Sequence, residues 1–198
     1  MMKGTLFVMS GPSGTGKGTI CNEILRTENI FLSISATTRE IRLGETDGVT
    51  YNYLQRDEFE KLIEEGEMLE YAQYNGNYYG TPKRNVEKML NEGTNVLLEI
   101  EPQGALKVKA QFPEAVLIFV IPPSMAELKK RLQERGRETE EQIRERMDAA
   151  KWEMEQAPKY NYVVTNDDLD ECVDKVKKIL NNQIKAKEQL DKLLKEEY

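Results

Sequence analysis

A turn with three glycines lies between an apolar run and a helical pattern near the start of the chain. Thr5–Ser10 (TLFVMS) is apolar enough for a strand buried on both faces, and Thr19–Arg26 (TICNEILR) is typical of a helix. The turn itself, Gly11–Lys17, reads GPSGTGK and matches the pattern G-x-x-x-x-G-K. Glycines let backbone N–H groups approach phosphate oxygens, and the following helix directs its positive end at them. With the point charge of Lys17, the sequence predicts a phosphate-binding loop.

The loop departs from the usual pattern directly after its lysine. Gly18 stands where Ser or Thr is usual, and the hydroxyl comes one residue later, at Thr19. Because that Ser or Thr normally binds Mg²⁺, direct ligation of a metal by this loop is not predicted. The alternative for the whole stretch is an ordinary glycine turn, which the strand before it and the helix after it disfavour.

The chain has 198 residues, two cysteines and no histidine. The missing histidine excludes Ser-His-Asp and Cys-His relays and HExxH zinc helices, and two cysteines cannot complete a Cys₄ zinc site. Cys21 and Cys172 are interpreted as reduced thiols, and no segment has the pattern of a signal peptide or a transmembrane helix, so a cytoplasmic location is predicted. The net charge of -7 argues against a nucleic-acid polymer or a membrane surface as partner.

Predicted strands and helices alternate along the rest of the chain. Further buried strands are predicted at Asn95–Glu101, Glu114–Ile121 and Tyr160–Thr165. Helices are predicted at Val86–Asn91, Gly104–Gln111, Ser124–Arg135, Glu140–Gln156 and from about Leu169 onward. This alternation predicts an α/β fold with a parallel sheet. Residues 35–82, with an acidic helix at Asp57–Glu65, and residues 125–150 interrupt it and are interpreted as insertions.

Several further motifs, in order along the chain, closely resemble the guanylate kinase family. They are Ser35-Ala-Thr-Thr-Arg39-Glu-Ile-Arg42 with Gly44-Glu45, Gly48-Val-Thr-Tyr51, Glu70-Tyr-Ala-Gln-Tyr-Asn-Gly-Asn-Tyr-Tyr79-Gly80-Thr81, Glu99-Ile-Glu101-Pro-Gln-Gly104, and Arg131-Leu-Gln-Glu-Arg135-Gly136 leading to Arg146. The resemblance extends from Gly4 to about Asp168 and implies a single domain over 1–198. Its core (1–34, 83–124 and 151–198) is expected to be a P-loop NTPase-type parallel sheet flanked by helices, with a GMP-binding insertion at 35–82 and a helical lid at 125–150.

The resemblance also implies an activity and its residues. The expected enzyme is an ATP:GMP phosphotransferase of purine nucleotide metabolism, with dGMP as a second acceptor, Mg²⁺ as cofactor, and a monomeric or homo-oligomeric state. Implied to bind ATP are Gly11, Pro12, Ser13, Gly14, Thr15, Gly16, Lys17, Gly18, Thr19 and Asn166. Implied to neutralise charge during transfer are Lys17, Arg39 and the lid arginines Arg131, Arg135 and Arg146. Thr19 and Glu99 are candidates to contact Mg²⁺ through water.

The chemistry of GMP suits the residues that the resemblance assigns to it. Arg39 and Arg42 can grip the 5′-phosphate, to which Ser35, Tyr51 and Tyr79 add hydroxyl donors. Guanine offers two adjacent donors, and the carboxylate of Glu70 is a matching acceptor, with Thr81 as its partner and Glu101 as a second acid facing the base. The alternative is that these are surface arginines, core tyrosines and ordinary acids. For the lid arginines, the alternative is a helical surface paired with Glu127, Glu138 and Glu145.

Two further assignments remain open from sequence. Asn166-Asp167-Asp168 matches a turn near the ATP adenine, and it is also a suitable N-cap for the last helix. The function itself has two alternatives: a kinase of the same architecture acting on AMP or UMP, and a guanylate-kinase-like module that binds peptides without catalysis. Glu70 with Thr81 disfavours the first, and the intact loop with Lys17 disfavours the second.

Overall fold

The structure is a computed structural model, and it describes residues 3–74, 76–134, 136 and 139–182. Strands in these residues are β1 Leu6–Ser10, β2 Ile30–Leu32, β3 Ala36–Thr37, β4 Asn52–Tyr53, β5 Met68–Tyr74, β6 Asn77–Pro82, β7 Asn95–Glu99, β8 Val116–Ile121 and β9 Tyr162–Thr165. The α-helices are α1 Lys17–Leu25, α2 Arg56–Glu64, α3 Lys83–Asn91, α4 Pro102–Gln111, α5 Met125–Glu134, α6 Glu140–Met154 and α7 Leu169–Leu180.

One sheet contains five strands in the order β2-β7-β1-β8-β9. The pairs β1·β8, β8·β9 and β2·β7 are parallel, with Phe7 opposite Val116 and Ile118 opposite Tyr162. Every residue of β1 is buried, and so are five of the six residues of β8. Strands that are apolar throughout belong in the middle of a parallel sheet, where both faces are covered. The predicted α/β fold with a parallel sheet is confirmed.

The predicted elements occur with shifted ends. Helix α1 begins at Lys17, two residues before its predicted start, because the loop leads directly into it: the N–H of Ile20 already donates to the carbonyl of Gly16 at 3.1 Å. Strand β7 ends at Glu99 rather than Glu101, since Pro102 opens α4. Strand β2 was not predicted, because three half-buried residues are too few to show a period. The part of the predicted last helix beyond residue 182 lies outside the described residues.

The chain divides into two compact units, one of which contains a second sheet. This sheet has the order β4-β3-β6-β5, and α2 covers one of its faces through Phe59, whose ring stacks on that of Tyr78 with centroids 5.2 Å apart. Side chains alternate between the faces of a strand. The opposite face therefore carries Thr37, Tyr53, Glu70, Tyr79 and Thr81.

The other unit contains β1, β8 and β9 with α1 and the helices that follow Ile121. Helices α5 and α6 pack on each other through Leu128, Leu132, Ile143 and Ala150. Helix α7 packs on α1 and β9, and the carboxylate of Asp168 accepts the N–H of Glu171 at 3.0 Å. The predicted N-cap is thus confirmed. Among the described residues, no helix combines the length and apolarity that crossing a membrane requires.

Candidate active site

The glycine-rich loop closes around the ammonium group of Lys17. Nζ of Lys17 donates to the carbonyls of Gly11 at 2.6 Å and Pro12 at 3.2 Å, and the side chain is buried. Glycine is required at both ends of the loop. A β-carbon at residue 11 would lie 2.1 Å from the carbonyl oxygen of Val120, and Gly16 has φ +88°. The backbone thus holds a cation at the N-terminus of α1, where anion binding is favourable.

Asn166, at the end of β9, holds this loop in place. Its Nδ2 donates to the carbonyl of Thr15 at 2.7 Å and lies 2.6 Å from where a β-carbon of Gly16 would stand. Arg131 donates through Nη1 to the carbonyl of Asn166 at 3.0 Å. Its Nε also pairs with Glu127 at 3.0 Å. Arg131 therefore also forms one of the surface ion pairs that the alternative to an ATP-binding role predicted. The assignment of Asn166 to ATP stays a prediction.

The other two arginines predicted for the lid are Arg146 and Arg135. Arg146, on α6, donates through Nη1 to the hydroxyl of Ser13 in the loop. One of the arginines predicted for the lid therefore contacts the glycine-rich loop directly. Arg135 and Glu138 lie outside the described residues, and Glu145 is exposed.

Acidic side chains accompany the lysine in the same unit. The carboxylate of Glu99 lies 3.7 Å from where a β-carbon of Gly18 would stand, and Thr19 and Glu101 are exposed. Burial raises the pKa of Glu99, Lys17 lowers it, and Glu101 raises it further. Burial, with a smaller contribution from Glu101, raises the pKa of Glu153 to about 7. Sequence reasoning missed Glu153, because nothing in the local pattern of α6 distinguishes it from its exposed neighbours.

A magnesium ion bound with a nucleotide fits this donor set. The described residues include no group of three or more His, Cys, Asp or Glu side chains placed to hold a metal. Mg²⁺ in nucleotide enzymes commonly uses one or two carboxylates together with substrate phosphates and waters. The Glu99 carboxylate beside the start of α1 can serve in that way through water.

The other unit gathers Arg39 with three tyrosines. The guanidinium of Arg39 lies 5.5 Å from the ring centre of Tyr51 and 5.7 Å from that of Tyr53. The rings of Tyr51 and Tyr79 meet edge to face with centroids 6.1 Å apart. The structure therefore brings Arg39, Tyr51 and Tyr79 together, as a shared phosphate site requires.

Glu45 joins this cluster, although sequence reasoning gave it no role. It forms a two-point ion pair with Arg39 and accepts the hydroxyl of Tyr53 at 2.8 Å. The hydrogen bonds from Arg39, ahead of the other contributions, lower the pKa of Glu45 to about 2 and raise the pKa of Arg39. The pair is therefore ionised at neutral pH. The place of Glu45 in the Arg-x-Gly-Glu motif was a signal, but its partner depends on how the loop folds.

The remaining predicted phosphate ligands are less well placed in this structure. Arg42 is exposed; its backbone N–H donates to the Glu45 carboxylate at 2.8 Å, and its carbonyl accepts the N–H of Glu45 at 3.0 Å. Ser35 is half-buried, and its carbonyl accepts the N–H of Asn52 at 2.8 Å. Their assignments to the phosphate stay predictions.

Glu70 and Thr81 form a buried pair on the open face of the second sheet. They stand opposite each other across β5 and β6, next to an irregularity in register between Met68 and Glu70. Such bulges redirect side chains beside functional sites. The hydroxyl of Thr81 donates to Oε1 of Glu70 at 2.8 Å, and both side chains are buried.

Glycine at position 104 leaves room for this carboxylate. A β-carbon there would lie 2.5 Å from Oε2 of Glu70. The other acids of the same run, Glu64, Glu65 and Glu67, are exposed. Burial therefore distinguishes Glu70 from these surface carboxylates, as expected for a carboxylate that accepts hydrogen bonds from a ligand.

Comparisons with known proteins match this chain to one family over most of its length. The family model described as guanylate kinase matches residues 3–183. The guanylate kinase of Clostridium perfringens (strain 13 / Type A) is 54% identical over 179 residues, covering 90% of this chain and 83% of that protein. The guanylate kinase of Halalkalibacterium halodurans is 51% identical over 189 residues, covering 95% and 93%. The crystal structure of guanylate kinase from Anaplasma phagocytophilum superposes with a TM-score of 0.76 at 36% identity, covering 92% of this chain and 87% of that one. The chain belongs to the guanylate kinase family.

Proposed function

We propose that the chain transfers the γ-phosphoryl group of ATP to GMP, giving ADP and GDP. The observation that carries this acceptor is the buried Glu70–Thr81 pair, on the same sheet face as Tyr79. A carboxylate accepts both N1–H and the 2-amino group of guanine, whereas adenine presents an acceptor at N1. The site thus selects a guanine base with a 5′-phosphate.

The acceptor phosphate is held by Arg39, with Arg42, Ser35, Tyr51 and Tyr79 as further donors. An arginine fork suits a phosphate dianion, and the tyrosines supply hydroxyl groups without adding charge. The second pKa of a phosphate monoester is about 6, so the attacking oxygen is mostly ionised at pH 7. No general base is needed, which agrees with a chain that has no histidine.

The ATP phosphates are held by the loop and by the cations that contact it. Lys17 exchanges its bonds with the Gly11 and Pro12 carbonyls for phosphate oxygens. Arg146 contacts the same loop, and Arg131 contacts Asn166, which is bonded to that loop. These charges neutralise the phosphoryl group as it moves in line. Mg²⁺, when bound with ATP, would supply additional charge neutralisation, and Glu99 and Thr19 would hold it through water. Residues 35–82 act as the GMP-binding insertion, and residues 125–150, including Arg135, act as the lid.

The reaction takes place in the cytoplasm in this proposal. The described cysteines, Cys21 and Cys172, are buried free thiols. Burial is the largest cause that raises the pKa of both, so neither is expected to be a reactive thiolate. They are compatible with a reducing compartment.

An acceptor panel tests the proposed function. ADP formation from MgATP is measured with GMP, dGMP, AMP, UMP and CMP, and with guanosine as a control that lacks the phosphate. We expect turnover with GMP and dGMP and none with guanosine. A higher kcat/KM for AMP or UMP than for GMP would refute the assignment of the acceptor, and ATP consumption that needs no acceptor would refute kinase activity.

A further inference from the structure

Glu45 accepts four hydrogen bonds from its own loop and the neighbouring strand. Oε1 accepts Nη2–H of Arg39 at 2.9 Å, and Oε2 accepts Nη1–H of the same residue at 2.9 Å. Oε2 also accepts the backbone N–H of Arg42 and the hydroxyl of Tyr53, each at 2.8 Å. One carboxylate thus connects three residues, Arg39, Arg42 and Tyr53.

These bonds fix the orientation of the Arg39 guanidinium, which also has Tyr79 as a hydrogen-bond partner. A guanidinium has five N–H donors. Two are donated to Glu45 and a third, from Nη1, to the carbonyl of Glu40 at 2.7 Å. The two others are on Nε and Nη2, which point along one edge of the guanidinium plane. A phosphate can accept that pair of donors at once.

The loop between β3 and β4, residues 38–51, has little apolar packing. Ile41, Leu43 and Val49 are all exposed, and Leu43 is completely so. By contrast, the side chain of Glu45 is 19% exposed and that of Arg39 is 11% exposed. A charged pair this well shielded is screened less by salt than a surface pair. The loop is therefore held by polar contacts, those of Glu45 among them, rather than by a hydrophobic core.

From these contacts we propose that Glu45 is a positioning residue for the acceptor phosphate. Glu45 holds one edge of Arg39 and so turns the Nε and Nη2 edge toward the ligand, and it fixes the backbone at Arg42. This inference rests on the proposed function, in which both arginines grip the phosphate of GMP. Glu45 itself touches no reacting atom.

The test compares two ligands that differ only in the phosphate. The dissociation constants of GMP and guanosine are measured by calorimetry for the unchanged protein and for Glu45→Gln, which keeps the shape but removes the charge. We expect the variant to weaken GMP binding by about 10- to 100-fold, the range for lost charge-assisted hydrogen bonds, and to leave guanosine within about twofold. In turnover, KM for GMP should rise more than kcat falls. Glu40→Gln is the matched control, because it removes a nearby charge from an exposed side chain and keeps the backbone carbonyl that accepts Arg39.

Each alternative result decides the question. Equal losses for GMP and guanosine would mean that Glu45 only maintains the fold, and tighter GMP binding would mean that it competes with the phosphate; both overturn the inference. Unchanged GMP affinity overturns it while leaving the proposed function intact. Failure of the unchanged protein to bind GMP overturns both. If Glu45→Gln does not fold, Tyr53→Phe removes one bond to the carboxylate and should cause a smaller loss that is still confined to GMP.

Discussion

The substitution Glu70→Gln tests the recognition of guanine most directly. The glutamine has nearly the same shape, and the Glu70 side chain is only 7% exposed, so water cannot replace a lost hydrogen-bond partner. One carboxylate oxygen accepts the Thr81 hydroxyl at 2.8 Å, and the other lies against Gly104. After substitution, one of the two acceptors becomes an NH₂ group. At least one guanine donor then faces another donor.

The expected magnitude follows from that mismatch. Leaving a buried donor unpaired costs about 1–3 kcal/mol. At about 1.4 kcal/mol per factor of ten, kcat/KM for GMP should fall by about 5- to 150-fold. Inosine 5′-monophosphate lacks the 2-amino group and so has one donor fewer to lose. The fall should therefore be smaller for this nucleotide than for GMP.

The assay is ADP formation with both nucleotides at limiting concentrations. Glu67→Gln is the matched control, since it removes an exposed carboxylate three residues away. An unchanged kcat/KM for GMP after Glu70→Gln would refute the assignment of Glu70 to guanine. An equal fall for both nucleotides would show that the substitution disturbs the site in general.

Three more predictions follow from the same structure. Lys17→Ala should lower kcat at least about 100-fold in the ADP assay, because a charge that faces the transferred group is lost; retained turnover would contradict its role. Gly104→Ala should raise KM for GMP by about tenfold, because its β-carbon would displace Oε2 of Glu70, and an unchanged KM would contradict the placement of this carboxylate in the GMP site. Glu153 has its pKa raised to about 7, so unfolding releases a proton between pH 4.5 and 7 and stability falls as pH rises through that window. Glu153→Gln should remove this dependence and be more stable than the unchanged protein at pH 8 by at most about 3 kcal/mol, with no difference at pH 4. Urea unfolding at both pH values measures these free energies, and the same difference between the two proteins at pH 4 and at pH 8 would refute the assignment.

Local chemistry explains which parts of the site were predictable. The loop from Gly11 to Lys17 is recognisable because its glycines, its lysine and its flanking strand and helix are adjacent in sequence. The N-cap at Asp168 was predictable for the same reason. By contrast, the three-residue strand β2 takes its conformation from pairing with β7, a strand more than sixty residues further along the chain.

The acidic side chains show the division between sequence and tertiary structure most clearly. The sequence by itself determined the α/β fold, the phosphate-binding loop and the residue types that suit GMP, because these depend on local pattern and on motif order. It placed Glu70 within a run of acids, and only the pairing of β5 with β6 buried it beside Thr81. Only the folded loop brought Glu45 onto Arg39, and only burial moved the pKa of Glu153 to about 7. The physical reason is that a carboxylate is defined by its partners and its access to water, and both are set when distant segments pack together.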